Sequence, residues 1–181
     1  MLFDIIDYIR EGEYALLLIN LASIMFVVFC TLPVHEFAHA WTAVKLGDDT
    51  PRLSGRLTLR PMAHIDPIGS LMILLVGFGY ARPVQVNMHN LKKGRKSFAL
   101  VALAGPVSNL ILSIICMFLL KCTNLLGGAT EIEFFYFLGW IFAEMCFANI
   151  GLAFFNLLPI PPLDGSRVLN YFLPYRAQAF M

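Results

Sequence analysis

Two histidines and a glutamate lie inside a long apolar stretch of this chain. The stretch runs from Ala15 to Val44 and contains the sequence HEFAH, which begins at His35. On a helix, His35 and His39 would share one face, where both could bind one metal ion. Glu36 follows one position round the helix, where a carboxylate could transfer a proton beside that ion. Because ionisable groups are costly inside hydrocarbon, the pattern predicts a functional metal site within a membrane span.

The elements that position these residues are membrane spans. Hydrophobic residues make up 59% of the chain and charged residues only 14%, whereas about a quarter of a typical soluble domain is charged. Apolar stretches at about 14–46, 98–120 and 134–158 reach the roughly 20 residues that a spanning helix needs. We therefore expect an all-α polytopic membrane protein with a three-transmembrane-helix core, and a single membrane-embedded domain over residues 1–181.

A fourth apolar piece, residues 68–81, is too short to span and carries Gly69, Gly77 and Gly79. Segments of this length are typically re-entrant or interfacial, and irregular backbone at membrane depth has to be covered by protein. We expect a short re-entrant or hairpin segment between the first and second spans.

Basic residues are distributed unevenly over the segments that connect the spans. Three crossings place eleven of the 13 lysines and arginines, Arg176 among them, on one side and only Arg10 and Lys121 on the other. The positive-inside rule makes the basic side cytoplasmic, so we expect the N-terminus outside and the C-terminus inside. The basic run at residues 92–96 is expected to meet lipid headgroups or fix topology, and no nucleic-acid partner is expected.

A catalytic zinc site has three protein ligands and an open position for water, so the two histidines need a partner. They lie toward the cytoplasmic end of the first span, and the third span ends on the same side. Three prolines follow that end and should interrupt the helix, because proline lacks the N–H that a helix requires. Asp164 comes next and is the predicted third ligand, although alone it would be an ordinary turn carboxylate. Gly165 is expected to permit a strained turn behind it.

Together, HEFAH in the first span and NLLPIPPLDG at residues 156–165 resemble the site-2 protease family of intramembrane zinc metalloproteases. The resemblance covers roughly residues 31–169, since GRLTL, AHIDPIG, YARPV and AGPVSN, which begin at residues 55, 63, 80 and 104, are also similar to the family. It implies one zinc ion per chain bound by His35, His39 and Asp164. It implies that Glu36 acts as the general base and acid.

The resemblance also implies that Asn109 and Asn156 face the active-site cleft and bind the substrate strand. The implied substrates are transmembrane segments of membrane-tethered regulatory proteins, cleaved in a bacterial plasma membrane with the active site toward the cytoplasm. The chain corresponds to the compact form of the family, without a PDZ or CBS domain. Relatives of this form carry a further span after the aspartate, whereas this chain ends with residues 175–181, as a truncation or a natural short form.

Two other functions remain compatible with the sequence. A non-catalytic membrane adaptor could retain the zinc site for stability, although binding alone would not require Glu36. A divalent-metal transporter could also use intramembrane histidines and carboxylates, but the sequence lacks the internal repeats that are common in transporters. Histidine and carboxylate ligands suit several divalent ions, and the oligomeric state and the particular substrate are left open.

Overall fold

The computed structural model describes residues 2–76 and 79–174, with side chains from residue 5 onward. Gly77, Arg176 and the C-terminal segment 175–181 lie outside the described residues. Over the described ranges the regular secondary structure is helical and includes no strand. The α-helices are α1 (Leu2–Glu11), α2 (Tyr14–Phe26), α3 (Leu32–Lys45), α4 (Thr50–Leu53), α5 (Pro61–His64), α6 (Pro67–Val76), α7 (Arg95–Thr130), α8 (Glu133–Asn156) and α9 (Asp164–Phe172).

Three helical stretches are long and apolar enough to cross a membrane, as the sequence predicted. The first is continuous over Tyr14–Lys45 and joins α2 to α3; the other two are α7 and α8. Helix α7 has 36 residues and is therefore about 54 Å long, whereas the hydrocarbon core is about 30 Å thick. The helix runs ten residues past the predicted end of the second span, because helical hydrogen bonds continue where the apolar pattern stops.

A π-helical segment, Val27–Thr31, lies one turn before the histidines of the first span. There the backbone N–H of Leu32 donates a hydrogen bond to the carbonyl of Val27, five residues back. Pro33 follows, and in a regular α-helix its ring would clash with the carbonyl four residues earlier. The wider π turn is of the kind that absorbs such an irregularity, so the helix continues unbroken to His35.

Helix α7 is the central element, since it packs against α3, α8 and α9. Its buried face toward the other helices includes Ala99, Ala102 and Gly105. Small residues of this kind allow membrane helices to approach closely and gain van der Waals contact. Large apolar side chains such as Phe118, Trp140 and Phe147 are exposed instead, which places them on the surface that meets lipid.

The piece between the first and second spans has the predicted hairpin shape. Asp66 begins it by accepting hydrogen bonds from the N–H groups of Ile68 and Gly69, at 3.0 and 2.9 Å, which caps α6. The chain then returns so closely that a Cβ on Gly69 would lie 1.9 Å from the carbonyl oxygen of Tyr80. The depth of this hairpin in a bilayer stays a prediction.

A buried carboxylate ties the end of α3 to the segment that leads to α7. Asp48 is fully buried and accepts hydrogen bonds from the hydroxyl and N–H of Thr50, the N–H of Asn87 and the side-chain amide of Asn90. Burial acts to raise the pKa of Asp48, but these hydrogen bonds, with those from Thr50 and Asn90 foremost, outweigh it and hold that pKa below its ordinary value. The ionised carboxylate therefore stabilises this junction.

We expect Asp48→Asn to lower the free energy of unfolding by about 2 kcal/mol at pH 7, because an amide offers one acceptor oxygen to donors that now share two. Since the pKa is lower in the folded state, the contribution of the carboxylate is fully present above about pH 4 and is lost as the pH falls through the folded-state pKa. Thermal unfolding in detergent at neutral and acidic pH measures both effects.

The matched control is Asp49→Asn, since Asp49 is exposed and forms a surface ion pair with Arg52. Surface pairs of this kind contribute between about 0 and 1 kcal/mol. Equal destabilisation by the two substitutions would contradict the role assigned to Asp48.

Candidate metal centre

The structure brings together the three residues that the sequence predicted as metal ligands. His35 and His39 lie one turn apart on α3, and Asp164 is the first residue of α9. The Nε2 atoms of the two histidines are 3.0 Å apart, and each lies 3.2 Å from Oδ2 of Asp164. All three residues are buried, and over the described residues they form the one cluster of three potential metal-ligating side chains.

The spacing of these three atoms fits a tetrahedral metal site. Zinc binds histidine nitrogen at about 2.0–2.1 Å, so two of its ligands at the tetrahedral angle are about 3.3 Å apart. The observed separations of 3.0 and 3.2 Å are close to that value. Two imidazoles and one carboxylate also form a typical donor set for a catalytic zinc ion, which keeps one position open. The residues present therefore fit zinc.

The second ring nitrogen of His39 orients its imidazole. Nδ1 of His39 donates a hydrogen bond to the carbonyl of Val101 on α7, at 2.7 Å. In the neutral ring this leaves a lone pair on Nε2, which points toward Nε2 of His35 and the carboxylate of Asp164. Such a convergence of acceptors is stabilised when a cation lies between them.

Gly105 of α7 makes room for both imidazoles. A Cβ at this position would lie 2.4 Å from Nε2 of His39 and 2.5 Å from Cε1 of His35. Any larger residue would therefore push α7 away from α3 or displace the rings. The sequence identified this residue only as part of a similar motif; its spacing, four residues after Val101 and four before Asn109, is the signal that one face of α7 lines the site.

Glu36 is held by the segment that follows the hairpin. Its side chain is buried beside the histidines, and Oε2 accepts a hydrogen bond from the backbone N–H of Val84 at 3.0 Å. Because the donor is a backbone group, the interaction requires the position of Val84 and not its side chain. This partner could not be found from the sequence, which gives no measure of how segments 48 residues apart meet.

The expectation that Gly165 permits a strained turn after Asp164 is wrong. Gly165 lies within α9 and is not one of the glycines with positive φ. Its small size serves a close contact instead, since a Cβ would lie 2.1 Å from the carbonyl oxygen of Leu157. The start of α9 thus packs directly against the end of α8, which brings Asp164 back to the histidines.

Both ends of α9 are attached to the first turns of α7. The guanidinium of Arg167 lies 3.6 Å from Oδ1 of Asp164 and 5.7 Å from the ring centre of Phe98. At the other end, Arg95 donates hydrogen bonds to the carbonyls of Asn170 and Leu173, where a cation also complements the helix dipole. These contacts fix the direction from which the Asp164 carboxylate approaches the histidines.

A cavity of about 720 Å³ lies beside the metal centre and is lined by its three ligands and Glu36. Asn109 and Asn156, the predicted substrate-binding residues, line it too. Asn156 donates a hydrogen bond to the carbonyl of Leu152, whereas the buried Oδ1 of Asn109 has no partner among the described residues.

Further polar residues that the sequence did not assign to the site also line this cavity. They include Asn20 on α2, 15 residues before His35, and Glu144 on α8, 12 residues before Asn156. Oδ1 of Asn20 is also buried and, within the described ranges, accepts no hydrogen bond. Two residues of the cavity lining thus carry a buried amide oxygen that has no hydrogen-bond partner among the described residues.

Comparisons with known proteins agree with this geometry. The sequence model of Peptidase family M50 matches residues 23–135 and 125–180. The Bacillus subtilis protein named "Putative zinc metalloprotease YwhC" is 45% identical over 93% of this chain and 76% of its own length. Proteins given the same description and the name Rip2 are 33% identical in Mycolicibacterium smegmatis, over 91% of this chain, and 37% identical in Mycobacterium tuberculosis, over 77%.

The chain spans 61% and 53% of the lengths of those two Rip2 proteins. No solved structure matches the chain significantly. The matched ranges of the family model include both histidines of the first span and the aspartate that begins α9. The chain therefore belongs to Peptidase family M50, the family of the site-2 proteases, and is similar to proteins named as zinc metalloproteases.

Proposed function

We propose that the chain is an intramembrane zinc endopeptidase that hydrolyses peptide bonds in or near transmembrane segments of membrane-tethered regulatory proteins. The observation that carries the proposal is the convergence of His35, His39, Asp164 and Glu36 on one cavity among helices long enough to cross a membrane. Membership of a peptidase family supports hydrolysis as the reaction.

The three ligands would hold one zinc ion per chain. When bound, zinc acts as a Lewis acid and lowers the pKa of a coordinated water toward about 7. The hydrogen bond from His39 to Val101 and the ion pair between Asp164 and Arg167 orient two of the ligands. Outer contacts of this kind increase the affinity of a metal site.

Glu36 would act as the general base and then as the general acid. Its carboxylate would accept the proton of the attacking water and return it to the nitrogen of the departing amine. The N–H of Val84 holds Oε2, which leaves Oε1 for the proton. The carboxylate is thus oriented before a substrate binds.

A transmembrane substrate has to unwind locally, because the carbonyls of a helix already accept hydrogen bonds from residues four positions later. Unpaired backbone groups are costly in an apolar environment unless the enzyme supplies partners. Asn20 and Asn109 line the cavity, and their buried, unpaired Oδ1 atoms could accept hydrogen bonds from the N–H groups of an unwound segment once the side chains turn toward it. The side-chain amide of Asn156, the last residue of α8, would form a further hydrogen bond with this segment.

We further propose that the protein lies in a bacterial plasma membrane, with its N-terminus outside and its active site toward the cytoplasm. The three apolar helices support a membrane location, and the distribution of lysines and arginines supports this orientation. The bacterial sources of the relatives support the choice of membrane. The partners are then the lipid bilayer and a transmembrane protein substrate.

We expect the detergent-purified protein to contain about one zinc ion per chain. His39→Ala and Asp164→Ala should each abolish this content, because a site with two of its three ligands binds zinc far more weakly. Elemental analysis of the three proteins measures it. Zinc retained by Asp164→Ala would contradict a site built from both segments.

Glu36→Gln should retain zinc and lose cleavage by at least about 100-fold, since an amide cannot transfer the proton. The assay is co-expression with a panel of reporter proteins, each carrying one transmembrane segment. Undiminished cleavage would exclude Glu36 as the base. Segments that bind wild type without being cut would support the adaptor, and zinc flux in proteoliposomes would support the transporter.

Gly105→Ala should lower zinc occupancy severalfold, because the added Cβ would overlap both imidazoles. The matched control is Gly128→Ala on the same helix, where the nearest atom to a Cβ is Oη of Tyr136 at 3.9 Å, an ordinary contact. Zinc content and thermal unfolding should both be preserved in the control. Equal zinc occupancy in the two variants would show that α7 does not set the ligand geometry.

A further inference from the structure

A second, smaller cavity lies outside the metal centre, between the loop after α4 and the extended segment after the hairpin. Its volume is about 390 Å³, and its lining includes Ser54, Arg56, Met62, Arg82 and Gln85. All of these residues lie between the first and second spans, as do six of the chain's 13 lysines and arginines, and Lys45, Arg95 and Lys96 lie at the adjoining helix ends. The cavity is therefore at the basic face of the protein.

Hydrogen bonds connect the two segments that form this cavity. The guanidinium of Arg56 donates to the carbonyls of Ala63 and Arg82, and the N–H of Arg82 donates to the carbonyl of His64 at 2.8 Å. The fully buried ring of His64 bonds in turn to the carbonyl of Thr58 at 2.7 Å. Hydrogen bonds to backbone carbonyls thus fix the positions of the two segments that contain Arg56 and Arg82.

The two guanidinium groups are poorly balanced by negative charge. Among the described residues, no carboxylate lies within the 4.0 Å that defines an ion pair with Arg56 or Arg82. Burial and the charge of Arg82 both act to lower the pKa of Arg56, and only the charge of Glu36 opposes them. Two cations that line one cavity without a carboxylate paired to either can form a site for an anion.

The surroundings of the cavity indicate which anion it binds. Guanidinium groups recognise phosphate through paired hydrogen bonds. Met62 lines the cavity and is 78% exposed, and Leu53 and Leu59, each three residues from Arg56 along the chain, are 86% and 56% exposed. Arginines beside exposed apolar side chains match the boundary where lipid headgroups meet acyl chains. A free phosphate ion would have no use for this apolar margin.

We propose that Arg56 and Arg82 bind the phosphate of an anionic phospholipid at the membrane face where the first span ends and the second begins. The apolar side chains of the loop would contact the acyl chains of the same lipid. This binding does not require protease activity, so the proposal stands or falls separately from the proposed function.

The test uses the full chain in detergent, titrated with short-chain phosphatidylglycerol and followed by native mass spectrometry. Arg82→Gln should weaken binding about tenfold, because the loss of one charged hydrogen-bonding group is of that order. Arg56→Gln should have a similar effect, but Arg56 also supports the loop, so Arg82→Gln is the deciding variant. Its thermal unfolding should match wild type.

The matched control is Arg52→Gln, which removes the same charge from α4, between the same two spans. Arg52 is exposed and already paired with Asp49, so the control should bind phosphatidylglycerol as wild type does. Equal losses in Arg52→Gln and Arg82→Gln would overturn the proposal, since they would show a diffuse charge effect.

Three further probes identify the source of the anion. Phosphatidylcholine of the same chain length should bind more weakly than phosphatidylglycerol, and equal binding would overturn the proposal. Inorganic phosphate should not displace the lipid at comparable concentrations; displacement would assign the site to a free phosphate. Displacement by a soluble acidic peptide would assign it to a protein partner instead.

Discussion

The close approach of α7 to α3 at Gly105 is the contact on which the metal centre depends. It lets a part of the backbone without a side chain reach both imidazoles, where a Cβ would overlap them. The same helix supplies the carbonyl of Val101 that orients His39, and its first turns hold α9 through Arg95 and Phe98. One helix therefore sets the position of the histidine pair and the direction of the aspartate that meets it.

This arrangement brings acceptor groups together in a place where they repel each other. Two imidazole nitrogens and a carboxylate oxygen lie about 3 Å apart in a buried site, which is costly unless a cation or protons intervene. The surrounding helices resist their separation, because Arg167 and the contact of Gly165 with Leu157 fix the start of α9. The packing of the helices thus holds the acceptor atoms together against their repulsion, and a metal ion that binds between them relieves that repulsion.

The sequence predicted the spans and the histidine pair because both have local signals, whereas Asp164 followed only from the topology of the spans. Apolar runs mark membrane helices, and the four-residue spacing of His35 and His39 marks one helical face. The hairpin was predicted because residues 68–81 are too few to span a membrane and contain three glycines. The full extent of α7 could not be predicted, because its last ten residues lie beyond the apolar run by which the second span was recognised. The role of Gly165 was misjudged, because its constraint is a contact with Leu157 and not its own backbone angle.

The hydrogen-bond partners that distant segments contribute to the site had no comparable signal in the sequence. These partners determine how the side chains of the site are oriented. The bond from Val84 to Glu36 joins segments that only the fold brings together. Val84 lies two residues after Arg82, so the extended segment that orients Glu36, the proposed general base, also carries one arginine of the proposed lipid site. A phospholipid held by Arg56 and Arg82 would restrain the extended segment whose Val84 N–H donates a hydrogen bond to Glu36. The geometry of proton transfer inside the membrane would then depend on the lipids at its surface.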